Sequence, residues 1–231
     1  MNEALLLFSG GQDSTTVLAW CLKKYDKTHI ITFDYGQIHN IEMQSAKRII
    51  KTFKKEFPVW KHKIENLIVY KINNLGKLHK NALVSKIKIS TKDKLPNTFV
   101  PGRNVLFYTL GATLAYSRNI HNIVSGVCET DFSGYPDCRN KTIQYINKTL
   151  NLAMEKDFKL FTPLMNKSKT DTWKMAYRLG GKKLVDIIIK HTHSCYLGNR
   201  ENLYPWGYGC NKCPACLLRR KGWENYINSN N

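Results

Sequence analysis

Ala4-Leu5-Leu6-Leu7-Phe8-Ser9-Gly10-Gly11-Gln12-Asp13-Ser14-Thr15 is the stretch on which the fold turns. Five consecutive apolar residues, Ala4 to Phe8, suit a strand buried on both faces of a parallel sheet. Gly10 and Gly11 break that strand. Thr15 to Tyr25 then reads as a helix with Val17, Leu18, Cys21 and Leu22 on one face. Between strand and helix, two glycines let the backbone pass close to a ligand and turn successive amides inward. The helix start adds free N–H groups and the positive end of its dipole, which together make an anion site. Ser9 and Ser14 supply hydroxyl donors, and Asp13 is placed either to cap the helix or to hold a magnesium ion on phosphates. An ordinary turn and N-cap would use the same residues, and the hexapeptide alone does not separate the two readings. The Walker A pattern and the dinucleotide fingerprint are both absent, which removes the usual kinases, GTPases and dehydrogenases.

Outward from this stretch the strand–helix alternation continues. His29 to Phe33 is a second strand ending in Asp34-Tyr35-Gly36, and a helix over about Asn40–Phe57 carries Ile41, Ala46, Ile49, Ile50 and Phe53 at helical spacing. Residues 60–98 read as a strand, a short helix and a loop. The pattern then predicts a helix Val105–Ser117, a strand Ile123–Val127, a loop Cys128–Arg139 and a helix Asn140–Glu155. A turn at Thr162-Pro163, a helix around Ser168–Leu179 and a last helix near Leu217–Ile227 complete the chain. This order predicts an α/β fold with a doubly wound, mostly parallel, Rossmann-like sheet. With no internal repeat and no linker, 231 residues form a single folding unit: an α/β part, 1–190, with a small zinc-binding C-terminal appendage, 191–231, packed on it.

The chain carries 36 Lys plus Arg against 17 Asp plus Glu, a formal net charge of +19. The excess divides almost evenly, +9 over residues 1–100 and +10 over 101–231, and Arg accounts for only 8 of the cations. Even spread predicts a solvated lysine-rich surface that attracts anions at long range without requiring nucleic acid. Hydrophobic residues make up 42%, including 12 Tyr, 9 Phe and 5 Trp, enough for a packed core. No apolar run approaches the ~18 residues of a membrane helix. Met1-Asn2-Glu3 lacks a basic export region, so a cytoplasmic protein is expected.

Seven cysteines are unevenly placed. Cys195, Cys210, Cys213 and Cys216 fall within 22 residues, whereas Cys21, Cys128 and Cys138 stand apart. Four thiolates with two C-x-x-C spacings suit a closed tetrahedral zinc site, with an iron–sulfur cluster as the alternative. Full cysteine coordination leaves no open position for a metal-bound water, so the expected role is structural. Cys21 lies on an apolar helix face and is expected to be inert. Cys128 and Cys138 bracket a candidate active-site loop, and His191 and His193 read as surface or core side chains.

Ser9-Gly-Gly-Gln-Asp-Ser14 at a strand end resembles the pyrophosphate loop of the adenine nucleotide alpha-hydrolase enzymes, which attack ATP at the α-phosphate. The resemblance narrows with Phe33-Asp-Tyr-Gly-Gln37 and His39, Phe99-Val-Pro-Gly-Arg-Asn104, Gly126 to Arg139, Thr162-Pro-Leu-Met165 and Cys213-Pro-Ala-Cys216. In this order they resemble the 7-cyano-7-deazaguanine synthase family of queuosine biosynthesis over nearly the whole chain. Three positions depart from the family's pattern: Ile38 for Arg, Asn211 for Gly and Asp171 for Glu.

That resemblance implies ATP, magnesium and one structural zinc ion, with 7-carboxy-7-deazaguanine and ammonia as the other reactants and a homodimer as the assembly. It assigns ATP binding to Phe8, Ser9, Gly10, Gly11, Gln12, Asp13, Ser14, Thr15, Asp34 and Tyr35. Asp13, Lys169 and Arg103 become the candidate catalytic residues, the two cations facing the leaving pyrophosphate. The purine analogue falls to Glu129, Asp131 and Asp137 at the base edge, Arg139 at its carboxylate, and Phe132 and Tyr135 for stacking. Tyr204, Trp206 and Trp223 are candidates for a dimer contact. Two rivals remain open at this level: an ATP-activating tRNA-modifying enzyme of the thiolase or lysidine-synthase type, and a non-catalytic zinc module that binds nucleic acid.

Overall fold

The computed structural model describes residues 2–37, 41–79, 81–84, 87–90, 95–129 and 134–229. The α/β part runs β1 Glu3–Leu7, α1 Gln12–Lys24, β2 Lys27–Asp34, α2 Ile41–Glu56, α3 Pro58–Lys61, β3 Ile64–Lys71, α4 Leu75–Leu78, α5 Arg103–Ser117, β4 Asn122–Ser125, α6 Asn140–Met154 and β5 Lys159–Phe161. A long helix α7, Lys169–His191, then leads to a hairpin of β6 Leu203–Tyr204 and β7 Gly207–Tyr208 and to α8, Pro214–Asn228.

The first five strands form one sheet in the order β3-β2-β1-β4-β5, and every pairing in it is parallel. β1 sits at the centre. The chain winds from it to one side through β2 and β3, then returns to β1's other edge for β4 and β5. The winding direction therefore reverses between β1 and β4, the place where open α/β sheets hold their ligands.

Both faces of the sheet are covered, which is why its strands read as continuous apolar runs. Along β1, Ala4 and Leu6 join Phe8 in the core beneath α1, α2 and α7, whereas Leu5 points into the opposite core with α5 and α6. Ile30 and Ile31 of β2 divide in the same way, as do Val124 and Ile123 of β4. The C-terminal segment is fastened by aromatic contacts. Trp173 of α7 meets Trp223 of α8 edge-on at 4.9 Å and stacks on Tyr226 at 6.5 Å.

Several expectations change in detail. The first helix starts at Gln12 instead of Thr15, so the phosphate-loop residues form its first turn. β4 ends at Ser125, which releases Gly126 to Cys128 from the sheet. α7 continues past Leu179 to His191 across a kink at Gly181, whose φ is 63°. β5 and the β6–β7 hairpin were not expected: two or three residues carry too little periodicity to register. Trp206 is buried and stacks on Tyr204 at 4.9 Å, and Trp223 packs edge-on against Trp173, while Tyr204 and Trp223 stay partly exposed. Among the described residues, no helix is long and apolar enough to cross a membrane.

One crowded contact positions the phosphate loop. Gly10 has φ 80°, and a Cβ there would stand 2.7 Å from both Ala46 N and Glu42 O on α2. Left-handed strain alone costs a non-glycine residue roughly 1–2 kcal/mol. Gly10→Ala is expected to lower the Tm by at least ~2 °C, at ~2–4 °C per kcal/mol for a chain of this size. An unchanged Tm in differential scanning calorimetry would show that α2 does not clamp the loop.

Candidate active site

The carboxyl ends of the central strands open into a cavity of about 730 Å³. Its floor is the loop after β1. Gly11 is the N-cap of α1 and makes no side-chain cap hydrogen bond, so the first-turn amides remain available. Ser9 Oγ and Ser14 Oγ lie 3.1 Å apart, and Gly11 N donates to Ser9 Oγ at 3.3 Å. Ser14 Oγ and Thr15 Oγ1 both donate to Gly11 O, at 3.2 and 2.8 Å. A Cβ on Gly126 would stand 3.0 Å from Ser14 N, so only glycine lets the end of β4 lie against the helix start. Phe8, Ser9, Gly11, Gln12, Asp13 and Ser14 all face the cavity, while Gly10 and Thr15 support them from behind.

Asp13 lies in the first turn of α1 and does not cap it. Its Oδ2 accepts a hydrogen bond from Lys169 Nζ at 2.5 Å, whereas Oδ1 is buried without a hydrogen-bond partner among the described residues. Lys169 opens α7, whose start is fixed by a capping box: Asp171 N donates to Ser168 Oγ, and Ser168 N donates to Asp171 Oδ2, each at 3.1 Å. The shorter Asp171 carboxylate thus closes the box where the resembled family has Glu. Hydrogen bonds from the Ser168 side chain and backbone hold it below the usual carboxylate range.

The opposite wall is aromatic and basic. Arg103 begins α5, and its Nη1 donates to Tyr35 OH at 3.3 Å while its buried Nε has no partner among the described residues. Phe33 and Phe107 stack at 4.3 Å beside them. Thr98 Oγ1 and Tyr135 OH are 2.6 Å apart, and Tyr135 is also hydrogen-bonded to Tyr196. Burial pushes the Tyr196 phenol well above its ordinary range. Tyr35, Tyr135, Arg103 and Lys169 all line the cavity.

Other expected residues fall elsewhere. Glu129 is absent from the cavity wall; its Oε2 accepts from Asn140 N at 3.0 Å, at the start of α6, where the helix dipole draws a carboxylate. Asp137 is buried just behind the wall, its Oδ2 accepting from Asn104 N in the first turn of α5. Arg139 is exposed at the N-cap of α6, and Asp34 is occupied in its own turn, accepting from Gly36 N. Asp131 and Phe132 lie outside the described residues, as do Ile38 and His39. Glu129 and Asp137 thus each accept from a backbone amide in a helix's first turn, a purpose that local sequence does not distinguish from base recognition.

The structure also brings in residues that pattern reading passed over. Glu42, in the first turn of α2, lines the cavity, as do His193, Tyr196 and Arg219. Burial raises the Glu42 carboxyl to about 7, with nearby Arg103 acting in the opposite direction. Cys128 and Cys138 both reach the cavity wall, whereas Cys21 is fully buried in the core and its thiol is raised by burial.

Behind the cavity, the sulfur atoms of Cys195, Cys210, Cys213 and Cys216 all lie within 4.8 Å of one another. A tetrahedral ion with ~2.3 Å metal–sulfur bonds needs its ligands at about that spacing. Hydrogen bonds from the Cys213 and Cys216 thiols draw Cys195 toward the thiolate. The donor set therefore fits a metal ion.

Residues 3–227 match the family described as "Queuosine biosynthesis protein QueC". A 7-cyano-7-deazaguanine synthase of Burkholderia thailandensis is 48% identical over 98% of this chain and 93% of its own length. One of a Polaromonas species is 50% identical over 97% of this chain and 96% of its own. The chain belongs to this family. Among solved structures, a 4-thiouridine synthetase in complex with RNA and ATP matches with a TM-score of 0.51 at 14% identity, a likeness of fold alone. It covers 98% of this chain, which spans about half the length of that synthetase.

Membership in the synthase family also makes sense of Asn211, which stands where the family pattern has Gly. Asn211 adopts a left-handed φ of 55°, the conformation glycine favours and asparagine tolerates better than most residues. Its Oδ1 accepts from Arg220 Nη1 at 3.4 Å.

Glu42 generates a pH test. Its folded pKa of about 7 lies above the ordinary 4.5. Between those values the folded chain keeps a proton that the unfolded chain has lost, so this residue's contribution to stability falls as pH rises through that window. Glu42→Gln is therefore expected to gain Tm over the wild type progressively from pH 4.5 to 7 and to hold that advantage at pH 8. A difference that stays constant with pH would remove Glu42 as a buried titrating group.

Proposed function

We propose that this chain makes 7-cyano-7-deazaguanine from 7-carboxy-7-deazaguanine and ammonia, using ATP. The observation that carries this is the continuity of the cavity: one wall is an uncapped phosphate loop with Asp13 and Lys169, the other an aromatic surface with Arg103. Family membership supplies the reaction. A carboxylate oxygen attacks the α-phosphorus of ATP, pyrophosphate leaves, and an acyl-adenylate forms. Ammonia then attacks the acyl carbon and expels AMP, giving the amide. The amide oxygen attacks the α-phosphorus of a second ATP and expels pyrophosphate, and loss of AMP with both amide protons leaves the nitrile. Both carboxylate oxygens thus depart on AMP.

The protein's part is positioning and charge neutralisation. The α1 amides and the Ser9 and Ser14 hydroxyls hold phosphate oxygens. Lys169, already held at 11% side-chain exposure by Asp13, meets the developing pyrophosphate. Arg103, with its Nε unpartnered among the described residues, takes the substrate carboxylate, and Tyr35 and Tyr135 flank the purine analogue. Asp13 Oδ1 is the oxygen that would hold Mg²⁺, which would neutralise phosphate charge there.

The four cysteines hold zinc in this proposal, because the soft, closed sulfur set suits it and the reaction requires no electron transfer. Thiols kept reduced for that purpose support a cytoplasmic location. A homodimer rests on the outer face of α5, where Val105 is 41% and Tyr116 54% exposed.

One preparation tests these points. With ATP, ammonium and 7-carboxy-7-deazaguanine, mass spectrometry is expected to find the nitrile with two AMP per turnover. ADP as product, or turnover only with tRNA, would sink the proposal. Elemental analysis is expected to give one zinc per chain, with iron in its place counting against the zinc assignment. Sedimentation as a monomer would remove the dimer.

A further inference from the structure

Where α7 and α8 cross, two cations face the phosphate loop, and only one of them has been given a role. Gly222 of α8 lies so close to Lys169 that a Cβ there would overlap the Lys169 Cβ. One turn earlier on α8 is Arg219, which is 1% exposed and still lines the cavity beside Asp13 and Ser14.

The hydrogen bonds of Arg219 all go to neutral oxygens. Nε donates to Trp206 O at 2.8 Å, Nη2 to Ile188 O at 3.0 Å, and Nη1 to Ser194 Oγ at 3.4 Å. These use three of its five N–H groups. Among the described residues it has no ion-pair partner. Opposite charge reaches it first from the Cys216 sulfur and then from Asp13, whose carboxylate is already paired with Lys169. Burial lowers the guanidinium only to about 10, so it remains charged at neutral pH. A buried guanidinium with two N–H groups left over at a cavity wall is placed to donate them to an anionic ligand.

Such an anion has a place to sit. Ser194 Oγ, which accepts from Arg219, lies 3.7 Å from where a Cβ on Gly11 would stand, and His193 N donates to Gly10 O at 3.3 Å. The guanidinium is thus one hydroxyl away from the phosphate-loop backbone. Its three neutral partners fix the fork, and Cys216, one helical turn before it on α8, ties its position to the cysteine cluster.

We propose that Arg219 is a second phosphate-binding cation, which joins Lys169 in holding the polyphosphate of ATP and the pyrophosphate it releases. This rests on the ATP-dependent reading above. It gives the cysteine cluster a reach into the active site, because a helix anchored by the metal carries the cation.

The test compares Mg-pyrophosphate, ATP and adenosine binding by calorimetry in the wild type, Arg219→Gln, Arg219→Lys and the exposed control Arg220→Gln. Loss of a charge-assisted hydrogen bond is expected to weaken ATP and pyrophosphate by about tenfold or more in Arg219→Gln, with adenosine changed less than about twofold. Arg219→Lys should recover part of the loss and Arg220→Gln should bind as the wild type does. Equal weakening of adenosine and ATP would mark Arg219 as structural only, and unchanged pyrophosphate binding would likewise overturn the proposal. If the Arg219 variants do not fold, the wild type labelled with ¹⁵N-arginine decides the question. Its Arg219 Nε–H resonance must then shift on adding Mg-pyrophosphate, and a static resonance overturns the proposal. Failure of the wild type to bind ATP at all would instead count against the reaction.

Discussion

Three backbones meet at the carboxyl end of β1 with no room between them for a Cβ. Gly10 touches the first turn of α2, Gly126 brings the end of β4 against the start of α1, and His193 N donates to Gly10 O from the far side. These contacts leave the α1 amides uncapped and aimed at open space, since any side chain there would fill it. The same economy recurs at Gly222, where α8 lies directly on Lys169. The site is therefore shaped as much by absent side chains as by present ones.

The electrostatics follow from that geometry and not from the overall charge. Most of the +19 is dispersed in lysines along the chain, whereas the cavity holds only a few ionised groups. Asp13 and Lys169 pair there, Glu42 sits near Arg103, and Arg219 has neutral partners alone. The local balance favours an anionic ligand, and a low-dielectric wall of Phe33, Phe107 and Tyr135 strengthens each interaction.

Legibility differed by how far each residue's role extends along the chain. The β1 loop was readable because a strand end, two glycines and a helix start are adjacent in sequence. The four cysteines were readable because thiolate spacing maps directly onto one ion. Glu129 was ambiguous: its carboxylate meets the amide of Asn140, and a helix-start role looks the same in sequence as a ligand-binding one. Glu42 and Arg219 were passed over because an acidic residue in a first turn and an arginine in a last helix are commonplace until the fold turns them toward one cavity.

From the sequence by itself came the α/β class, the glycine turn between β1 and α1, the clustering of four cysteines and the family likeness, all properties of residues close together in the chain or of their order along it. Only the tertiary structure decided that α7 runs on through Gly181, that Trp206 stacks on Tyr204 and Trp223 packs on Trp173, and that Arg219 and Lys169 face the same loop. Those facts depend on helix crossings and burial between segments many residues apart. No local periodicity encodes which buried charge will find a neighbour of opposite sign.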